Sequence, residues 1–314
     1  MRVLLALGGN AMTAVDGSAR PEDQIAAAKV AMESVADLVT HDVEVVVTHG
    51  NGPQVGNLLV KNELAASVVP PVPLDWCGAQ TQATLGFVLM NALEESLALR
   101  GSSRRTATVV TRTLVDASDP GFERPTKPIG RYLSREDAQL LVEHGETWAD
   151  RGSKGWRRVV ASPEPLEILD APAVCALVDA GFVVVASGGG GIPVVREDGA
   201  LRGVEAVIDK DLGAAVLARR VAADVLVIAT DVPNAVLGYG SPDEQPLDKV
   251  TVRQLREYAT QGHFGSGSMG PKVEAACRFV EQGGRYTVIG SLQQIQEAVA
   301  GSAGTVVVPD STGG

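Results

Sequence analysis

Three of the seven lysines in this 314-residue chain stand in settings that suit chemistry. Lys127 lies in a turn-rich stretch, Lys210 is flanked by Asp209 and Asp211, and Lys272 follows Pro271 at the first turn of a helical pattern. A cation at a helix N-terminus opposes the macrodipole, and a phosphate ligand would reconcile the two. Glycine clusters supply the other half of such a site. They are Gly8-Gly9 before Asn10, Gly50-Asn51-Gly52 after His49, and Gly188 to Gly191 after Ser187. Glycine lets main-chain N–H groups turn toward an anion without side-chain obstruction. Lysines facing such loops can stabilise the entering and leaving oxygens of phosphoryl transfer, a reaction governed by positioning and charge stabilisation. Asp211 can fix two ammonium groups by ion pairing. Asp209 or Asp231 can position magnesium through water, and a helix N-cap or turn is the alternative role for all three. Lys29, Lys61, Lys154 and Lys249 read as ordinary surface charges.

Other chemistries fit less well. A Walker loop needs a Gly-Lys pair, and the chain has none. A GxGxxG spacing runs from Gly265 through Gly267 to Gly270, but it follows no clean strand and is weak support for a dinucleotide fold. His41, His49, His144 and His263 lack metal-ligand spacing, so no protein-held metal centre is expected. No GxSxG elbow occurs. Cys77, Cys175 and Cys277 form no CxxC pair, which points to a reducing, cytoplasmic setting. A formal charge of −11 disfavours nucleic acid and anionic membrane as partners.

The elements that must position these residues alternate. Short apolar runs at Val3–Leu7, Val43–Thr48, Thr108–Val110, Phe182–Ala186, Val225–Ala229, Tyr286–Ile289 and Thr305–Val308 read as parallel strands covered on both faces. Ile25, Ala28, Met32, Val35, Ala36 and Val39 fall on one helical face, opened by Pro21, Glu22 and Asp23. Leu85, Val88, Leu89, Ala92, Leu93 and Leu97 make a second stripe. Further helices are expected near 134–143, 171–180, 210–222, 251–260, 271–282 and 291–300. Strand–helix alternation predicts an α/β fold, a mainly parallel open sheet with helices on both sides. With only 4% aromatic residues its core must be aliphatic. Residues 117–162 break the rhythm. They are turn-rich and poor in strand signal, and read as an excursion, a lid or small subdomain.

The segments Ala6–Ala11, Thr48–Asn57, Pro73–Ala79, Thr126–Gly130, Gly155–Val160, Ser187–Pro193, Gly203–Asp211 and Gly267–Ala275 resemble carbamate kinase, within the amino-acid kinase superfamily. The likeness runs nearly end to end. Asp209-Lys210-Asp211, with Gly-Ser-Met-Gly-Pro-Lys ending at Lys272, is its most specific part. The resemblance implies a three-layer αβα sandwich with a protruding lid subdomain over 117–162. Residues 1–205 would hold carbamate or carbamoyl phosphate, and residues 206–314 would hold ATP or ADP. It implies magnesium-dependent transfer and a homodimer. Lys127, Lys210 and Lys272 match the family's catalytic lysines, with Asp211 as their organiser. Gly8, Gly9, Asn10, Gly50 and Asn51 match its phosphate and substrate loops, and Tyr239, Met269 and Gly270 its nucleotide contacts. Gly52, Gly188 and Gly189 join the substrate set as loop glycines. Arg131-Tyr132-Leu133 departs from the family's usual Pro-Phe-Tyr. Two alternatives remain open: another kinase of the superfamily, and a non-catalytic sensor of carbamoyl phosphate or nucleotide.

Overall fold

The computed structural model describes residues 1–13, 20–143, 145–265 and 269–310. Gly267 of the GxGxxG spacing and His144 lie outside the described residues.

Eight strands form the central sheet. They are β1 Arg2–Leu7, β2 Glu44–His49, β3 Thr106–Thr108, β4 Val183–Val185, β5 Val225–Thr230, β6 Lys249–Thr251, β7 Tyr286–Ser291 and β8 Thr305–Val308. Their order across the sheet is β6-β8-β7-β5-β1-β2-β4-β3. Neighbours run parallel except β7 and β8. The first four of these eight strands therefore fill one half of the sheet and the last four the other, meeting where β1 pairs with β5.

The apolar strands serve two cores at once, because successive side chains point to opposite faces. Val3, Leu5 and Leu7 of β1 pack on one side with Val45 and Val47; Leu4 and Ala6 pack on the other with Val46. Helices α1 Pro21–Thr40 and α3 Leu74–Leu99 cover the first face, joined by α8 Ile295–Ala300. The second face is covered by α4 Ala171–Asp179, α5 Lys210–Arg220, α6 Val252–Thr260 and α7 Met269–Glu281. This is the expected three-layer sandwich. Burying each large aliphatic side chain fully is worth about 1.5–3 kcal/mol. Pro21 opens α1 as its sequence predicts, although Ile25 stays 45% exposed outside the stripe. A further helix, α2, runs over Gly52–Ala65.

Two elements differ from expectation. The strand expected over Thr108–Val110 lies at Thr106–Thr108, since its partner β4 ends at Val185 and Ser187 turns left-handed at φ 53°. The excursion, poor in strand signal, holds a three-stranded antiparallel sheet of Lys127–Leu133, Trp156–Val160 and Trp148–Asp150, with the expected helix at Arg135–Glu143. Only Ile129 is buried in Lys127–Leu133, and only Val159 and Val160 in Trp156–Val160, so no long apolar run betrays these strands. Gly130 (φ 67°) sits at an irregularity in that strand's pairing, and a side chain on Gly56 of α2 would lie 3.3 Å from Gly130 Cα. The excursion thus rests on α2 backbone to backbone, and Arg131 bridges to Glu63 at 2.9 Å. No helix among the described residues is long and apolar enough to cross a membrane.

Candidate active site

The chain leaving β1 enters α1 on one face of the sheet, while the chain leaving β5 runs on to α6 on the other. Adjacent parallel strands whose connections diverge leave a crevice at their carboxyl ends, the usual ligand position in open α/β sheets. A cavity of about 760 Å³ lies there. Gly8 and Gly9 line it beyond β1, and Thr230 and Asp231 line it at the end of β5. Lys127, Lys210 and Lys272 all reach it, with Asp209 and Asp211. Its remaining wall includes Tyr239, His263, Phe264 and Met269.

The acidic pair flanking Lys210 divides its work by helix geometry. Asp209 is the N-cap of α5: its Oδ1 accepts the N–H groups of Asp211 at 2.9 Å and Leu212 at 3.4 Å, satisfying two orphan donors of the first turn. Its Oδ2 accepts from Lys127 Nζ at 2.7 Å. The cap role and the ion-pair role therefore coexist, and the pair ties the excursion to α5. Asp211, one residue into the helix, is only 3% exposed. One of its oxygens accepts from Lys210 Nζ, the other from Lys272 Nζ at 2.7 Å. Lys272 comes from the first turn of α7, 61 residues along the chain.

The electrostatics follow. Burial pushes the Asp211 carboxyl up, but the two ammonium groups outweigh it and hold it below the usual carboxylate value. Burial pulls the Lys210 ammonium below the ordinary lysine value; Asp211 opposes this, and neighbouring Lys272 adds to it. Three ammonium groups share the cavity with the carboxylates of Asp209, Asp211 and Asp231, so the lysines can meet an incoming anion while the carboxylates hold them in place.

The glycines separate into two kinds. Gly8 and Gly9 line the cavity, and a side chain on Gly8 would meet the Ala229 carbonyl oxygen at 3.3 Å. Asn10 contributes backbone to the short turn Gly9–Met12, and its side chain lies outside the described residues. Gly50 stands directly behind: a Cβ there would fall 2.9 Å from Gly9 N and 3.5 Å from Lys210 Cδ. Asn51 is buried and donates from Nδ2 to Thr81 Oγ1 at 2.9 Å, while Gly52 opens α2 with free space around it. None of these three lines the cavity.

Gly188 and Gly189 are both buried and do not line the cavity. A Cβ on Gly188 would overlap the His49 ring, and one on Gly189 (φ 65°) the Asn51 amide. The loop's glycines make room for neighbouring protein atoms rather than for a ligand. His49, held among them, is buried; desolvation lowers its pKa to about 4, with Lys210 adding to the effect, so the ring is neutral.

Of the expected nucleotide residues, Asp209, Asp231, Tyr239 and Met269 line the cavity, and Tyr239 is 76% exposed at its edge. Gly270 does not line it, but its N–H donates to the Gly265 carbonyl at 2.9 Å, fixing the entry to α7. Sequence reasoning missed His263, Phe264, Leu292 and Gln293 as wall residues. The last two directly follow β7, and the carboxyl-end rule alone points to them.

Residues 1–291 match the Amino acid kinase family. Carbamate kinase of Thermococcus kodakarensis is 48% identical over 98% of this chain and 99% of its own. The carbamate kinase-like protein YqeA of Escherichia coli is 44% identical over 98% of each. Among solved structures, carbamate kinase from Giardia lamblia bound to AMP-PNP matches with a TM-score of 0.92 and 38% identity, over 98% of each chain. The chain belongs to the amino acid kinase family, and within it to the carbamate kinases.

Proposed function

We propose that this chain catalyses reversible phosphoryl transfer, ATP + carbamate = ADP + carbamoyl phosphate. The carrying observation is Asp211 gripping Lys210 and Lys272 beside the Gly8-Gly9 loop, in a chain whose relatives are carbamate kinases. A carbamate oxygen attacks the γ-phosphorus. The new O–P bond forms as the bond to the bridging oxygen breaks, and that electron pair leaves with ADP. Carbamate is already an anion, so no general base is required. Lys210 and Lys272 offset the charge on the transferring oxygens, aided by the main-chain N–H groups of Gly8 and Gly9 on the cavity wall. Lys127 exchanges Asp209 for the phosphate or carboxylate of the substrate.

Tyr239, Phe264 and Met269 offer apolar surface to the adenine. Residues 206–314 then carry the nucleotide and residues 1–205 the carbamate, with 117–162 as lid; the division of the sheet between its first and last four strands supports this reading. Among the described residues no cluster of three or more His, Cys, Asp or Glu could hold a metal ion. Magnesium bound chiefly through substrate phosphates needs only one or two carboxylates, and Asp209 and Asp231 fit as its partners on the cavity wall. When bound, magnesium neutralises charge on the β- and γ-phosphates. We further infer a cytoplasmic homodimer.

The test is ADP formation by the purified chain with ATP and magnesium, in the presence and absence of carbamate. Carbamate-dependent ADP release, reduced about 10²–10³-fold by Lys272→Ala, is the expected result. Tight nucleotide binding without turnover would instead indicate a sensor.

A further inference from the structure

A second concavity lies at the other end of the sheet. Loop 101–105 leads into β3 and loop 180–182 into β4, so both sit at the amino ends of strands. The active cavity lies beyond carboxyl ends. The two loops enclose a pocket of about 500 Å³, lined by residues that include Ser102, Ser103, Arg104, Arg105, Gly181 and Phe182. Among the described residues no carboxylate lines it, although the chain carries a formal charge of −11.

Both guanidinium groups are held by contacts that leave their charge uncompensated. Arg104 Nη1 donates to the Gly181 carbonyl at 3.2 Å. Gly181 makes room for it: its φ is 86°, and a Cβ there would lie 3.3 Å from Nη1. Arg105 stacks over the Phe182 ring at 5.2 Å, and its carbonyl accepts the Val183 N–H at 2.9 Å, locking the loop onto β4. Ser102 Oγ accepts the Arg104 N–H at 3.3 Å. Other arginines are fixed by carboxylates, Arg112 by Asp170 and Arg256 by Glu274 and Glu281; Arg157 is held like this pair, by the Gly130 carbonyl and the Tyr132 ring, but it stands apart from this pocket. Positioning two guanidinium groups through a carbonyl and an aromatic face leaves hydrogen-bond donors free, and such planar forks suit the oxygens of a phosphate.

We propose that this pocket binds a dianionic phosphate group, either as inorganic phosphate or as the head of a small phosphate monoester, independently of the active cavity. The chain, with its active cavity saturated by AMP-PNP and magnesium, is titrated with inorganic phosphate at constant ionic strength. Binding is followed by calorimetry and ³¹P line broadening. One saturable event is expected, weakened at least tenfold in the Arg104→Ala/Arg105→Ala variant, while turnover stays at the wild-type level. The Arg104→Lys/Arg105→Lys variant keeps charge but loses the forks; it is expected to bind more weakly than wild type with unchanged thermal unfolding, and it carries the test if the alanine pair does not fold. A parallel titration with phenyl phosphate separates the two sources: binding tighter than inorganic phosphate assigns a monoester site, equal binding a free-phosphate site. Absence of saturable binding of either probe to the wild-type chain, or undiminished affinity in the folded variant, overturns the proposal.

Discussion

Asp211 spends one carboxylate on two ammonium groups, and neither lysine has another carboxylate at salt-bridge distance among the described residues. Replacing it by Asn leaves Lys210 and Lys272 in a partly buried cavity without counter-charge. Removing one side of a buried pair costs about 3–5 kcal/mol, so Asp211→Asn is expected to lower the melting temperature and abolish turnover together. The pH dependence gives a second readout. A carboxyl held below its unfolded value contributes stability above that value and loses it as pH falls through the folded one. Acid unfolding of the wild type should therefore show a component that Asp211→Asn lacks. At the alkaline end the same pair sets activity. Lys210 binds its proton less tightly than an ordinary lysine in the free chain, so the kcat/KM profile, which reports the free enzyme, should turn down below pH 10.5. A plateau continuing past that point would contradict the charged role of Lys210.

The elements show which parts of the site can be read from sequence. Strands buried on both faces announce themselves as apolar runs, and β1, β2, β5 and β7 lie within a few residues of their expected places. β6 was missed because a Lys-Val-Thr edge strand carries no such run. The excursion's strands stayed hidden for the same reason: Lys, Arg and Tyr interrupt their apolar residues. Glycine composition was read half correctly. It marks close backbone approach but not what approaches, and at 188–191 the answer is His49, Asn51, Ile208 and Thr113. Gly190 makes the point testable. Its φ is 89°, and an added Cβ would lie 2.8 Å from Ile208 Cβ. Gly190→Ala combines backbone strain with a core clash and should cost about 2–4 kcal/mol. Gly199, at φ 82° with nothing within 4 Å, isolates the strain and should cost about 1 kcal/mol as Gly199→Ala. Chemical denaturation of both variants reads the difference; equal losses would place the packing of Gly190 in error.

At the scale of the whole molecule, the site exists because two halves of the sheet meet. The loop after β1 brings glycines, α5 brings Lys210 and Asp211, α7 brings Lys272, and the excursion brings Lys127 across a 2.7 Å bridge to Asp209. The adjacent triplet Asp209-Lys210-Asp211 was legible locally. The arrival of Lys272 at Asp211 is a tertiary fact: the residue types allow one carboxylate to hold two lysines, but nothing local says that Lys272, 61 residues on, is the second. His263 and Phe264 had no local signal, because their place in the wall depends on how the chain after α6 reaches the cavity. The central claim concerns all of these parts acting together, so it is tested by the complete reaction. The measurement is ATP formation from carbamoyl phosphate, ADP and magnesium by the purified chain, beside its Lys210→Ala variant. Rapid, carbamoyl-phosphate-dependent ATP synthesis that falls about 10²–10³-fold in the variant is predicted; no ATP from the wild-type chain, or equal synthesis by both, would contradict the account.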